Sequence, residues 1–322
     1  MQWQQDRWPT SLCKLTAGVK ADLKVKMASS PIMLSWQGNK PKLCVKAGVF
    51  SGVASAEGYI ELEINPAGLN YVVTLFQDML RQCHYERVTI YADDATYQRM
   101  SMLSQLALIT GLSLGQLAAA GKDFIERVYN KLNQSTHAGL VAWSLSGHQL
   151  PNPNAANNPQ LAGLNMARIS PHEAKELEKK LAAWSTQLLP EALGSLLGLM
   201  VVQPTAFKAQ DERVTLNDKQ VYALQQLTIS RLVSWLSEQE GSQLEQARHK
   251  FTEAVIRMHG VTVVDKVASY QRNLKELDAF MAIAAINVDA VKIALVKYRS
   301  ARNKLSDQTY ELAYPNLVDS DQ

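Results

Sequence analysis

The chain has 322 residues, 47% hydrophobic and 20% charged, which excludes wholesale disorder and leaves room for one large domain or two. Its 33 Lys and Arg against 30 Asp and Glu give a net charge of +3, so any role in binding an anion depends on where the charge is placed. Cys13, Cys44 and Cys83 fit no disulfide framework and no zinc spacing, and buried free thiols in a reducing compartment are the expectation. The polar start, MQWQQDRWPT, has no apolar signal-type run, and no stretch reaches a spanning length. A cytoplasmic location, or the cytoplasm of a host cell, is expected.

Along the first 92 residues the pattern has a period of two. Val19, Ala21, Leu23, Val25 and Met27 alternate with Lys20, Asp22, Lys24 and Lys26, as in a half-buried strand. Ile32–Trp36 and Leu43–Val45 flank Gln37-Gly38-Asn39-Lys40-Pro41 and read as a hairpin. Tyr59 to Ile64 alternates again, a helix over about 69–83 follows, and Arg87 to Ala92 reads as a further strand. From Asp93 the character turns helical. A helix from Asp93 or Asp94 runs to Thr110, Gly111 ends it, and Ser113 with Gln116 forms a capping box opening a second helix to about Asn133. Residues 147–160, with three Pro and four Asn, read as a linker. Helices are expected over 171–188, 191–202, 217–240, 242–259, 265–285 and 288–305. The resulting expectation is an α+β fold, with an N-terminal antiparallel β-rich region and a mostly helical C-terminal part. Its divisions would be 1–146, a linker at 147–160, a helical domain at 161–304 and an acidic tail at 305–322.

Two basic groupings could carry function. Residues 1–60 hold eight cations (Arg7, Lys14, Lys20, Lys24, Lys26, Lys40, Lys42, Lys46) against three acids, with Trp3, Trp8, Trp36 and Tyr59 among them. Cations follow a phosphate backbone by releasing counterions, and rings stack on bases. The bland alternative is a solvated strand face with its rings in the core. Near the other end, Lys292, Lys297, Arg299, Arg302 and Lys304 precede a tail bearing Asp307, Glu311, Asp319 and Asp321. That order has the plan of a basic core with an acidic tail that competes with nucleic acid or recruits a protein partner. A helix whose cationic last turn suits its dipole is the competing account.

Other signals are thinner. Ala107, Gly111, Leu112 and Leu117 have helix-turn-helix spacing, but the second helix offers only Gln116 and Lys122 toward bases. Gly111-Leu112-Ser113-Leu114-Gly115 matches GxSxG without the preceding strand that a nucleophile elbow needs. Glu61, Glu63, Asp93 and Asp94 could be imagined as metal ligands of a nuclease, though capping and solvated edges explain them. No nucleotide cradle is present, and neither cofactor nor metal is expected. The sequence reading is therefore a non-enzymatic single-stranded nucleic-acid-binding protein, with ssDNA the expected strand and an accessory role in replication or transcription. A self-assembling scaffold built through small residues such as Ala182, Ala183, Ala282, Ala284 and Ala285 is the alternative. The two are compatible, since a homo-oligomer extends the bound track.

Overall fold

A computed structural model describes residues 13–18, 32–37, 40–46, 59–64, 94–145 apart from 111, 185–209, 214–283 apart from 261, and 289–307. Isolated positions in 69–85 and 179–183, and Tyr310, are described as well. Two compact units emerge, one of 1–107 with 111–128 and the other of 108–110 with 129–322.

In the first unit, strands β1 (Cys13–Gly18), β2 (Ile32–Gln37), β3 (Lys40–Lys46) and β4 (Tyr59–Ile64) pair antiparallel in the order β1-β4-β3-β2. The β2–β3 hairpin pairs Ile32 with Val45 and Gln37 with Lys40, so the expected turn lies where its Gly-Asn pair permits it. Downstream, Leu69, Val73 and Leu80 are buried at helical positions. The chain leaves this segment through His84 and Tyr85, both left-handed at φ 52° and 59°, with the Tyr85 amide donating to the Leu80 carbonyl. Helix α1 (Asp94–Thr110) follows, then α2 (Leu114–Ala120) and α3 (Lys122–Leu132). The single helix expected from Ser113 to Asn133 is thus two, because Gly121 at φ 86° breaks it. Only glycine adopts that conformation without strain.

The second unit is a helical body: α4 (Ala138–Leu145), α5 (Pro190–Met200), α6 (Asp218–Ser237), α7 (Gly241–Ile256), α8 (Lys266–Ala282) and α9 (Asp289–Leu305). A two-stranded antiparallel hairpin, β5 (Phe207–Ala209) with β6 (Val214–Leu216), joins α5 to α6. Asn217 caps α6 reciprocally with Gln220.

Buried residues run around most of α6, which makes it the central strut. It is also the hydrogen-bonding anchor. Tyr222 Oη donates to the Phe280 carbonyl at 2.7 Å, and Gln226 Nε2 donates to the Phe280 and Ile283 carbonyls, satisfying the end of α8. Ser230 Oγ donates to Ala294 of α9 at 2.6 Å, and Thr228 and Arg231 donate to carbonyls of α4.

Helices α5 and α7 meet end to end in charge. Glu191 lies in the first turn of α5, where a helix favours an anion, and Arg257 follows the last turn of α7, where it favours a cation. Arg257 Nε lies 3.5 Å from Glu191 Oε1, and its Nη1 bonds Glu253, whose other oxygen accepts from Lys266 at 3.0 Å. Arg257 and both glutamates are buried.

The α+β expectation is overturned. Apart from the strands within 13–64, the described body is 80% helical with only the two-stranded β5–β6 sheet, so the expected β-rich region over 1–92 does not define the fold. Period-two alternation over five or six residues is a short-range signal, whereas the buried apolar side chains among the described residues lie mostly on helical faces. The expected strand over Val19–Met27, the strand over Arg87–Ala92 and the linker at 147–160 lie outside the described residues, as does most of the expected helix over 171–188.

Candidate nucleic-acid interface

Helix α9 carries the C-terminal basic grouping. Val291, Ala294, Tyr298, Ala301 and Leu305 are buried at intervals of three and four, and α9 packs on α6 through this stripe. That fixes what faces outward: Lys292, Ile293, Val296, Lys297, Arg299, Ser300, Asn303 and Lys304 are exposed. Lys292 and Arg299 are seven residues apart, as are Lys297 and Lys304, and two helical turns separate the members of each pair by roughly 10.5 Å along the axis. The two cationic rows border an aliphatic strip formed by Ile293 and Val296, which are 55% and 66% exposed.

Among the described residues, only Lys292 in these rows has a carboxylate within ion-pair distance, Asp289 at 3.6 Å, and both groups are exposed. Such a pair is worth little. Lys297, Arg299 and Lys304 have no ion-pair partner among the described residues. Arg302 differs. It is half-buried, its Nη2 lies 3.2 Å from Asp278 Oδ2, and its Nη1 donates to Ser306 Oγ. Tyr298 Oη donates to the other Asp278 oxygen at 2.6 Å. Burial, then the Asp278 charge, push the Tyr298 phenol well above its ordinary value. Of the five C-terminal cations singled out, Lys292, Lys297, Arg299 and Lys304 share an accessible face, and Arg302 ties α9 to α8.

The sheet in the other unit has a different character. Its register forms cross-strand rows, and successive rows alternate between the two sheet surfaces. One set is Leu15-Leu62-Leu43-Leu34, Ala17-Ile60-Val45-Ile32 and Cys13-Ile64 with Pro41-Trp36. The other set is Lys14-Glu63-Lys42-Ser35, Thr16-Glu61-Cys44-Met33 and Gly18-Tyr59-Lys46, with Lys40 opposite Gln37. Trp36 therefore falls in the apolar set, while Lys40, Lys42, Lys46 and Tyr59 fall in the polar one. Glu63 is paired in register with Lys14 on one neighbouring strand and Lys42 on the other. Trp3, Arg7, Trp8, Lys20, Lys24 and Lys26 lie outside the described residues.

The remaining motifs resolve locally. Ser113 Oγ donates to Gln116 Oε1 and accepts from the Gln116 amide, so the hydroxyl of the GxSxG run is a helix cap preceded by helix α1. Helix α2, the second helix of the helix-turn-helix spacing, lies against β3, and its Leu117 is fully buried. Glu61 and Glu63 lie in the register described above, and among the described residues no group of three or more His, Cys, Asp or Glu could hold a metal ion. No described helix is long and apolar enough to cross a membrane. The start of the acidic tail is held: Tyr310 packs on Tyr270 at 5.4 Å between ring centroids, and its carbonyl accepts from Gln271.

Sequence reasoning missed the Tyr298–Asp278–Arg302 constellation and the groove it lines between α8 and α9. It is legible in part, because Tyr298 and Arg302 are four apart on one helix face. The Asp278 contribution is invisible without the pairing of α8 with α9. No protein family, curated protein or solved structure matches this chain.

Proposed function

We propose that this protein binds single-stranded nucleic acid through the outward face of α9, as a non-enzymatic accessory of replication or transcription. One observation carries the reading: Lys297, Arg299 and Lys304 lie on a single exposed helix surface with no carboxylate partner among the described residues. Unneutralised cations on a rigid element release counterions when a phosphodiester chain replaces them. The aliphatic strip between the two rows offers apolar contact that does not depend on base identity. The lysines of the front sheet are a weaker candidate, because Glu63 is paired in register with both Lys14 and Lys42.

The test is fluorescence anisotropy of the full chain with a labelled single-stranded oligonucleotide at several salt concentrations. Three phosphate contacts predict a log–log salt slope of about −2 from α9 alone, at roughly 0.7 per contact. Lys297→Glu with Arg299→Glu and Lys304→Glu should remove that slope and weaken binding at least tenfold. Lys42→Glu with Lys46→Glu should do much less. Affinity indifferent to salt, or unaltered by the α9 triple variant, rejects the proposal.

Self-assembly is a second reading, supported by the exposure of Ile293 and Val296 side by side on α9. It predicts that Val296→Lys lowers the mass measured by light scattering, and a monomer at high concentration counts against it.

A further inference from the structure

We propose that the groove between α8 and α9 receives one unstacked base of the bound strand, an inference that rests on the nucleic-acid reading above. The groove encloses about 300 Å³ and is lined by Asp278, Met281, Ala282, Leu295, Tyr298, Arg299, Arg302 and Asn303. That volume is at the small end of ligand sites and suits a single flat ring system.

The walls divide by chemistry. Met281, Ala282 and Leu295 form the apolar side, and a thioether makes favourable contact with the edge of an aromatic ring. On the same two helices, Asp278 is held in place by Tyr298 at 2.6 Å and Arg302 at 3.2 Å. Each carboxylate oxygen still has a lone pair to accept from a ring N–H or an exocyclic amine. Asn303, exposed at the mouth, adds one donor group and one acceptor, the complement a base edge presents.

Position ties the groove to the cationic face. Leu295, Arg299 and Asn303 form one ladder at intervals of four, and Lys292 precedes Leu295 by three. The Lys292–Arg299 row therefore runs along the lip of the groove, where a backbone phosphate would lie when its base is inside. A small inorganic anion fits less well, because Asp278 would repel it. A purely aliphatic ligand would leave the remaining acceptor capacity of Asp278 and the Asn303 amide unsatisfied. A neutral ring with hydrogen-bonding edges on an anionic chain answers both conditions.

The experiment compares the intact protein's affinity for a mixed-sequence DNA oligonucleotide and for an abasic oligonucleotide of equal length. One stacked base should make the first bind roughly ten- to a hundredfold tighter. Ala282→Trp fills the groove from an exposed helix end, and Asn303→Ala removes the edge contact. Either should shrink the base-dependent ratio severalfold while leaving the salt slope intact. Equal affinity for the two oligonucleotides, or a ratio undiminished in both variants, overturns the groove proposal and leaves charge-based binding standing. Binding to neither oligonucleotide overturns both.

Discussion

Replacing Gly198 by alanine should destabilise the helical unit, against the ordinary trend. In a helix interior, Gly→Ala gains about 1 kcal/mol from propensity. Here α5 crosses the end of α7 so closely that a Cβ on Gly198 would sit 2.1 Å from the Met258 carbonyl oxygen and 3.0 Å from its carbonyl carbon. At Gly194, one turn earlier, the Ala254 carbonyl oxygen is 2.4 Å away. These are backbone atoms, so no rotamer change relieves the contact. Helix α5 must retreat by more than an ångström, loosening Leu193, Leu196, Leu197 and Met200, all buried, and stretching the 3.5 Å approach of Glu191 to Arg257. Overpacking costs roughly 1–3 kcal/mol, and more where the obstacle is rigid. The net expectation is a loss of about 2 kcal/mol. In a unit of this size that lowers Tm by roughly 4–8 °C. Differential scanning calorimetry of Gly198→Ala, Gly194→Ala and a control decides it. The control is Gly260→Ala, where an added Cβ meets nothing within 4 Å. A Gly198→Ala protein as stable as the parent, or more so, would refute the claim that α5 and α7 are held at backbone contact.

Three further outcomes are expected. Arg257→Leu should cost about 3–5 kcal/mol in urea unfolding, since it removes the buried cation shared by Glu191 and Glu253 and leaves Lys266 as the cation on Glu253, and adding Glu191→Leu should recover part of the loss. A double variant no better than the single would separate Glu191 from the network. His84→Gly should stabilise the first unit by roughly 0.5–1 kcal/mol, because a residue held at φ 52° is relieved of its Cβ penalty; a lower thermal midpoint would show that side-chain contacts outweigh it. Tyr222 gives an alkaline signature. Burial raises its phenol from 10 to about 12, so the folded state binds the proton more tightly than the unfolded chain. Its contribution is fully present below pH 10 and is lost as pH rises through 12. Tyr222→Phe should flatten that decline between pH 10 and 12 in chemical denaturation, and a slope identical to the parent's would exclude Tyr222 as its source.

The helices from α6 onward are legible in the sequence to within a few residues because their ends carry chemistry of their own: Asn217 with Gln220, Asp265 on the Ala268 amide, and Asp289 in a first turn. The Ser113–Gln116 box forms as expected. Helix α4 escapes notice because Ala138 to Leu145 is apolar on nearly every side, and a helix buried all round shows no periodicity. The β5–β6 hairpin escapes because three-residue strands are too short to alternate visibly.

For the candidate interface, local sequence determines that residues 292–304 form a helix rich in cations, and that the front strands alternate. It cannot determine which of those cations are free. Arg302 and Arg299 are the same residue type three positions apart. One bonds Asp278 and the other stands in solvent, only because α6 and α8 cover one arc of α9 and not the next. Likewise Lys42 and Trp36 read as one basic and aromatic cluster until strand register assigns them to opposite rows. Short-range order follows from caps and periodicity, which act within a turn or two. Which face is buried, and hence which charge can meet a ligand, depends on contacts between residues far apart in the chain, and only the tertiary structure supplies those.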